Sequence, residues 1–195
     1  MTRIVFVRHA QSAPDPNLPE RDWPLSALGH SQAQALAPVL AELGVNALAS
    51  SPYLRAVETL RPFAEVAGLP IHVDDDLRER NLGGWISDPA EVDAAVKQMH
   101  ADLSFSLEGG ESGHACLERF HAAVGRVARA HPEARLAIGS HGGVLSHLLA
   151  QHHDDLEGEF WRRIRNPHLF IFDYPGELRW VAERTLDGSA GVKAV

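Results

Sequence analysis

Three short apolar runs in this sequence are each followed at once by residues able to handle an anion. Ile4-Val5-Phe6-Val7 leads into Arg8-His9. Val45 to Ala49 leads into Ser50-Ser51-Pro52, with Arg55 one helical turn further on, and Leu136 to Gly139 leads into Ser140-His141-Gly142-Gly143. Guanidiniums hold phosphate oxygens through forked, charge-assisted hydrogen bonds worth about 1.5–3 kcal/mol each, and helix N-termini add N–H donors. A phosphoryl group is the natural guest of such a set. A neutral imidazole carries a lone pair able to attack phosphorus while the arginines spread the charge of the transferring group. The leaving alkoxide then needs a proton. Asp74, Asp75, Asp76 and Glu79 lie just after the run Ile71 to Val73, Glu108 lies further on, and the residues by themselves do not choose among these acids. Nothing in the set asks for a metal.

Taken singly, each signal is weak. An Arg-His pair can end any strand, two glycines can simply permit a tight turn, Arg55 alone reads as a solvated helix residue, and Glu79 alone would pair with Arg78 or Arg80. The conjunction carries the argument. Independent surface residues have no reason to fall at the same end of several strands, which is where open parallel sheets bind ligands.

The elements that must position these groups follow from hydrophobic pattern. Strands are expected at Arg3 to Val7, Val45 to Ala49, Ile71 to Val73 and Leu136 to Gly139, with a C-terminal pair, Leu169 to Asp173 and Leu178 to Glu183, around Pro175-Gly176. Between them lie helical stretches. One runs from an N-cap at Ser26 to Leu43, with Leu28, Leu36, Val39, Leu40 and Leu43 as its stripe, and Pro38 is expected to kink or split it. A second has Ser51 as N-cap and Pro52 at its first position, carries Pro62 as a further break risk, and stops before Gly68. A third spans Ser112 to Ala130, and a fourth begins after Gly142-Gly143. The alternation predicts an α/β fold with a mostly parallel sheet. The stretch from Gly83 to Gly110, with a short helix from Pro89 to Met99, is long enough to serve as a lid.

Composition narrows the class. The chain has 195 residues, a formal charge of −8 and 45% hydrophobic residues, as expected of one folded unit. The acidic total argues against general nucleic-acid binding. A single cysteine, Cys116, excludes an intramolecular disulfide and fits a reducing cytoplasm. No run approaches the roughly 20 apolar residues that cross a bilayer, and the N-terminal run is too short for a signal peptide, so a cytoplasmic protein without membrane attachment is expected. Of twelve histidines, only His9 and His141 fall where chemistry is expected. His152-His153 with Asp154-Asp155 is not read as a metal tract, because adjacent helix positions point about 100° apart. Cys116 is expected to be packed and inert, and Trp85 and Trp161 to line a pocket or pack the core or lid.

Arg8-His9-Ala10-Gln11-Ser12 after a first strand resembles the signature of the histidine phosphatase (phosphoglycerate mutase-like) superfamily. Further blocks come in the family's order: Asp22-Trp23-Pro24-Leu25-Ser26-Ala27-Leu28-Gly29, Ser51-Pro52-Tyr53-Leu54-Arg55-Ala56, Leu77-Arg78-Glu79-Arg80-Asn81-Leu82-Gly83-Gly84-Trp85, Gly109-Gly110-Glu111-Ser112 and Ser140-His141-Gly142-Gly143. The resemblance covers residues 3 to about 150. It implies a three-layer α/β/α sandwich with a mostly parallel central sheet, phosphorylation of His9, a phosphoryl group held by Arg8, Arg55 and His141, and Glu79 as proton donor. Gln11, Ser12 and Gly142 complete the expected set as substrate-binding residues. Ala10 replaces the family's usual Gly, Gln11 a common acidic residue, Asp15 a frequent phosphate-binding Asn, and Ile86-Ser87 a common Glu-Gly pair.

The expectation is therefore a single domain over residues 1–195, with a lid-like insertion at 86–108 and a frayed tail after 187. It is expected to act on a small phosphorylated substrate as a phosphatase without metal or other cofactor. The chain lacks the long insertion of glycolytic phosphoglycerate mutases, which favours hydrolysis over mutase-type phosphoryl transfer. A non-catalytic phospholigand-binding module is the alternative from outside the enzymes. The substrate's identity and the oligomeric state are left open by the sequence.

Overall fold

Ile4 and Phe6 on one side of the first strand, and Val5 and Val7 on the other, belong to two separate buried clusters. Period-2 alternation in a strand buried on both faces demands cover on both. The structure, a computed structural model, describes residues 1–84, 88–152 and 160–186. Six strands, β1 (Thr2–Arg8), β2 (Ala47–Ser50), β3 (Ile71–Val73), β4 (Arg135–Ser140), β5 (His168–Tyr174) and β6 (Arg179–Thr185), form one sheet in the order β3-β2-β4-β1-β5-β6. The first four are mutually parallel, and β5 and β6 continue the sheet antiparallel from β1.

Helices α1 (Ala27–Glu42) and α2 (Leu54–Ala67) cover the face of Val5 and Val7 with Leu36, Leu40, Leu60 and Phe63. Helices α4 (Gly113–Ala130) and α5 (Gly142–Ala150) cover the other, where Phe120 and Phe172 lie 5.6 and 5.5 Å from Phe6 between ring centres. The result is the expected three-layer α/β/α sandwich. Helix α3 (Pro89–Ala101) lies within the segment between β3 and α4 and is capped by the Asp88 carboxylate, which accepts from the Ala90 N–H at 2.8 Å. Among the described residues, no helix is long and apolar enough to cross a membrane.

Several local expectations are corrected. Helix α1 runs unbroken through Pro38 and α2 through Pro62. Pro38 and Gln34, whose carbonyl the proline leaves unpaired, are both exposed, so water can serve that carbonyl while Leu36 and Leu40 anchor the helix on either side. Leu28, assigned to the buried stripe, is exposed. Helix α2 starts after Tyr53, not at Pro52, and Ser51 does not cap it, for a reason that lies in the site. Helix α5 starts at Gly142 itself, with His141 as its N-cap residue. Trp85, Ile86, Ser87, His153, Asp154, Asp155 and the tail from 187 lie outside the described residues.

Register carries the strand ends into alignment. Arg8 pairs with Ser140 and Ser50 with Gly139. The ladder continues one residue past each strand, since the His9 N–H donates to the Ser140 carbonyl at 3.0 Å and the Ser51 N–H to the Gly139 carbonyl at 2.9 Å. The loop after His9 is pinned from beneath, because a Cβ on Gly29 in the first turn of α1 would stand 2.0 Å from the Gln11 carbonyl oxygen. Within an ordinary helix, Gly to Ala gains up to about 1 kcal/mol. We expect the opposite sign for Gly29→Ala, a loss of about 1–3 kcal/mol from forced overpacking, read as a lower urea midpoint. A stabilised variant would show that α1 does not hold this loop.

Candidate active site

Arg8, His9, Arg55 and His141 come together at the carboxyl ends of β1, β2 and β4, as the sequence predicts. His9 is 8% exposed, Arg55 4% and His141 0%. The His9 and His141 rings are 5.3 Å apart between centres. Arg55 reaches the cluster from the first turn of α2, and its Nε donates to Nε2 of His9 at 3.2 Å. Guanidinium nitrogens only donate, so Nε2 of His9 is the unprotonated nitrogen, while Nδ1 donates to the Ala10 carbonyl at 2.7 Å. The tautomer is thereby fixed with a lone pair on Nε2.

His141 is held by Ser51, whose hydroxyl accepts from the Tyr53 N–H at 3.2 Å and shares a hydrogen bond of 2.7 Å with Nε2 of His141. Nδ1 of His141 is buried and has no partner among the described residues. The Nε of Arg8 is likewise buried and unpartnered, although another arm of the same guanidinium donates to the Ile164 carbonyl. A buried guanidinium N–H without an acceptor is what a bound anion would satisfy.

Burial drives the electrostatics. It lowers the proton affinity of His9 to about 3, helped by the charges of Arg55 and Arg8, and pushes that of His141 well below the usual histidine range. Burial also lowers that of Arg8, against the attraction of Glu79. Both imidazoles are thus neutral beside two cations.

Glu79 stands opposite. Its carboxylate accepts from the N–H groups of Arg80, Gly143 and Val144, each at 2.8 Å, and so sits on the N-terminus of α5. The glycines make this approach possible: a Cβ on Gly143 would lie 2.8 Å from the Glu79 carboxylate, and one on Gly142 would lie 2.9 Å from the Arg8 guanidinium. Of the competing acids, Asp74 and Asp76 are ion-paired with Arg126. Ser12 forms a bridge with Leu25, and Gln11 accepts from the Ser26 hydroxyl at 2.7 Å, so both are engaged with the start of α1. Asp15 accepts from the backbone and side-chain amides of Asn17.

Several residues of the site were not singled out for these roles from the sequence. Glu20 accepts from Nη2 of Arg55 at 2.7 Å through its carboxylate and from Nη1 at 2.8 Å through its carbonyl. Arg119 on α4 donates to the carbonyls of Asp76, Arg78 and Glu79 and pairs with Glu111, clamping the segment that carries Glu79. Arg80 is buried, and its guanidinium donates to the Phe105 carbonyl at 2.6 Å and to Nε2 of His147 at 2.7 Å. Arg80 and Glu111 carried a signal, each as part of a family block. Trp161 does not face the cluster; it stacks on His100 at 4.3 Å between ring centres. Cys116 is buried, and its thiol is pushed up to about 12 by desolvation, which makes it inert. Beside Arg55 opens a cavity of about 520 Å³, lined among others by Leu18, Glu20, Trp23, Asn81, Leu82 and Val92.

Known proteins resemble this chain. The model for the histidine phosphatase superfamily (branch 1) matches residues 4–186. A glucosyl-3-phosphoglycerate phosphatase of Mycobacterium tuberculosis is 32% identical over 166 residues, covering 76% of this chain and 74% of its own. The uncharacterized phosphatase PhoE of Bacillus subtilis is 28% identical over 156 residues, 77% of each chain. A solved structure of a mycobacterial glucosyl-3-phosphoglycerate phosphatase in complex with VO3 is 30% identical, with a TM-score of 0.73, covering 91% of this chain and 95% of that one.

Three buried histidines and one half-buried one make stability depend on pH. His9 and His147 are lowered to about 3 and His100 to about 4, chiefly by burial, and His141 is lowered well below the ordinary histidine value. Between about pH 6.5 and 3 the unfolded chain binds more protons than the folded one, so stability falls as pH falls through that window. The urea midpoint should drop steadily from pH 6.5 to 4, and less steeply in His147→Gln, which removes one of these groups. Equal slopes in the two proteins would contradict burial of a neutral His147.

Proposed function

The chain belongs to the histidine phosphatase superfamily, branch 1, and on that premise we propose that it hydrolyses a small phosphomonoester through a covalent phosphohistidine on His9. The carrying observation is the fixed tautomer of His9, with its lone pair on Nε2, in one cluster with the unpartnered Nε of Arg8. In the first step the Arg55 Nε–H shifts from Nε2 to a phosphate oxygen, Nε2 attacks phosphorus, the N–P bond forms and the P–O bond to the leaving alcohol breaks. Arg8, Arg55 and His141 take the charge of the transferring phosphoryl group, which costs little reorganisation because the groups already stand in place. Glu79 gives the leaving oxygen its proton. A water then attacks phosphorus and passes a proton back to the Glu79 carboxylate, the N–P bond breaks, and inorganic phosphate leaves. No step calls for a metal.

Glu79 suits both halves of this cycle by position. It sits on the N-terminus of α5, the helix that follows His141. Its three N–H donors hold the carboxyl group in one position, from which it serves first as proton donor and then as proton acceptor. Gln11, Ser12 and Gly142 remain part of the proposed substrate surface, Gln11 and Ser12 by holding the loop after His9 and Gly142 by letting the Arg8 guanidinium close on the site. Residues 86–108 are proposed as the lid of a single catalytic unit. The buried thiol of Cys116 is in keeping with a reducing cytoplasm as its setting.

The test uses p-nitrophenyl phosphate. His9→Ala should lose essentially all turnover, and wild-type-like activity in that variant would sink the mechanism. Glu79→Gln should lose about 10²–10⁴-fold in kcat, less so for this activated leaving group than for an alkyl ester. Rapid quenching of the wild type should trap a phosphoenzyme that is labile to acid and stable to alkali. A search for transfer products with 3-phosphoglycerate and its bisphosphate separates hydrolysis from mutase chemistry.

A further inference from the structure

If His9 receives the phosphoryl group, the rest of the substrate must lie at the mouth of the cluster, and the cavity of about 520 Å³ beside Arg55 is where it fits. The two share residues. Glu20 lines the cavity and holds Arg55 through two hydrogen bonds, and the Trp23 ring, also in the cavity wall, lies 5.6 Å from the Arg55 guanidinium carbon. Pro16, Leu18, Leu82 and Val92 add apolar lining, and Asn81 a neutral polar side chain. No Lys, Arg or His is among the described residues that line it, and Glu20 is the charged one.

We propose that this cavity is the leaving-group site and that it selects phosphomonoesters whose alcohol carries no second acidic group, with Glu20 as the residue that rejects one. The inference rests on the phosphatase reading and narrows its substrate class. Arg55, the guanidinium bound to Glu20, is taken up by the phosphoryl group in the phosphatase reading. Among the described lining residues no cation is then left to meet a carboxylate or a second phosphate, and Glu20 presents a carboxylate there instead. Like charges brought together in a partly desolvated site are strongly disfavoured. An uncharged alcohol with an apolar body, or one bearing an amine, meets no such penalty. This makes the chain differ in preference from its glucosyl-3-phosphoglycerate phosphatase relative, whose named substrate contains a carboxylate.

Glycerol 3-phosphate and 3-phosphoglycerate differ only in a hydroxymethyl group against a carboxylate. Titration calorimetry of both against His9→Ala protein reads binding without turnover. The alcohol is expected to bind at least about tenfold more tightly, equivalent to about 1.4 kcal/mol. Glu20→Gln should narrow that ratio at least threefold, and so should Leu18→Lys, which puts a cation into the cavity lining. Tighter or equal binding of the acid, binding of neither ligand, or an unchanged ratio in both variants would overturn the proposal. Turnover of p-nitrophenyl phosphate by the wild type is read separately. Its absence removes the phosphatase reading and leaves the binding ratio to decide this one.

Discussion

Two guanidiniums and two imidazoles can share one buried pocket only if the imidazoles stay uncharged, and that condition governs the rest of the site. Desolvation supplies it, since the same burial that packs His9 and His141 beneath the strand ends strips them of their second proton. The cations then point the remaining hydrogen bonds. Arg55, which can only donate, forces the lone pair of His9 onto Nε2, and the Ser51 hydroxyl holds His141 through its Nε2. The tautomer of His9 is thus set by hydrogen-bond direction alone.

Ser51 illustrates how such a site overrides local preference. Read as sequence, Ser51-Pro52 is a good helix start, with a capping hydroxyl followed by a proline at the first helical position. The hydroxyl serves His141 instead, and α2 begins two residues later without a side-chain cap. Pro38 and Pro62 fail as breakers for another reason: packed residues on both sides hold each helix to the sheet, and tertiary contacts outweigh one lost hydrogen bond. Departures of these two kinds are what one sequence window cannot contain.

The parts that were legible share a cause. The first and fourth parallel strands are uninterrupted apolar runs, and register fixes in space the residues at the end of each, so Arg8, His9 and His141 could be placed together from sequence alone. Arg55 came with them because it lies one turn into the next helix. Glu79 was chosen over its acidic neighbours only through family resemblance, because its distinguishing mark is the N-terminus of α5 above it, an element more than sixty residues away in sequence. Glu20 and Arg119 were hidden for the same reason. Their partners are remote carbonyls and side chains, and a lone Glu in a loop or an Arg on an amphipathic helix has no local mark of such a task.

Arg119 separates two kinds of change open to this molecule. It ties the backbone carrying Glu79 to α4, a helix whose other side is packed into the main core. The backbone of Glu79 is therefore braced from behind by the body of the protein, while Leu18, Leu82 and Val92 line the cavity in front. Mutations can remodel the front without disturbing the brace. Substrate preference and chemical competence can then drift independently, and a lineage of such chains could diversify widely in diet while keeping one reaction.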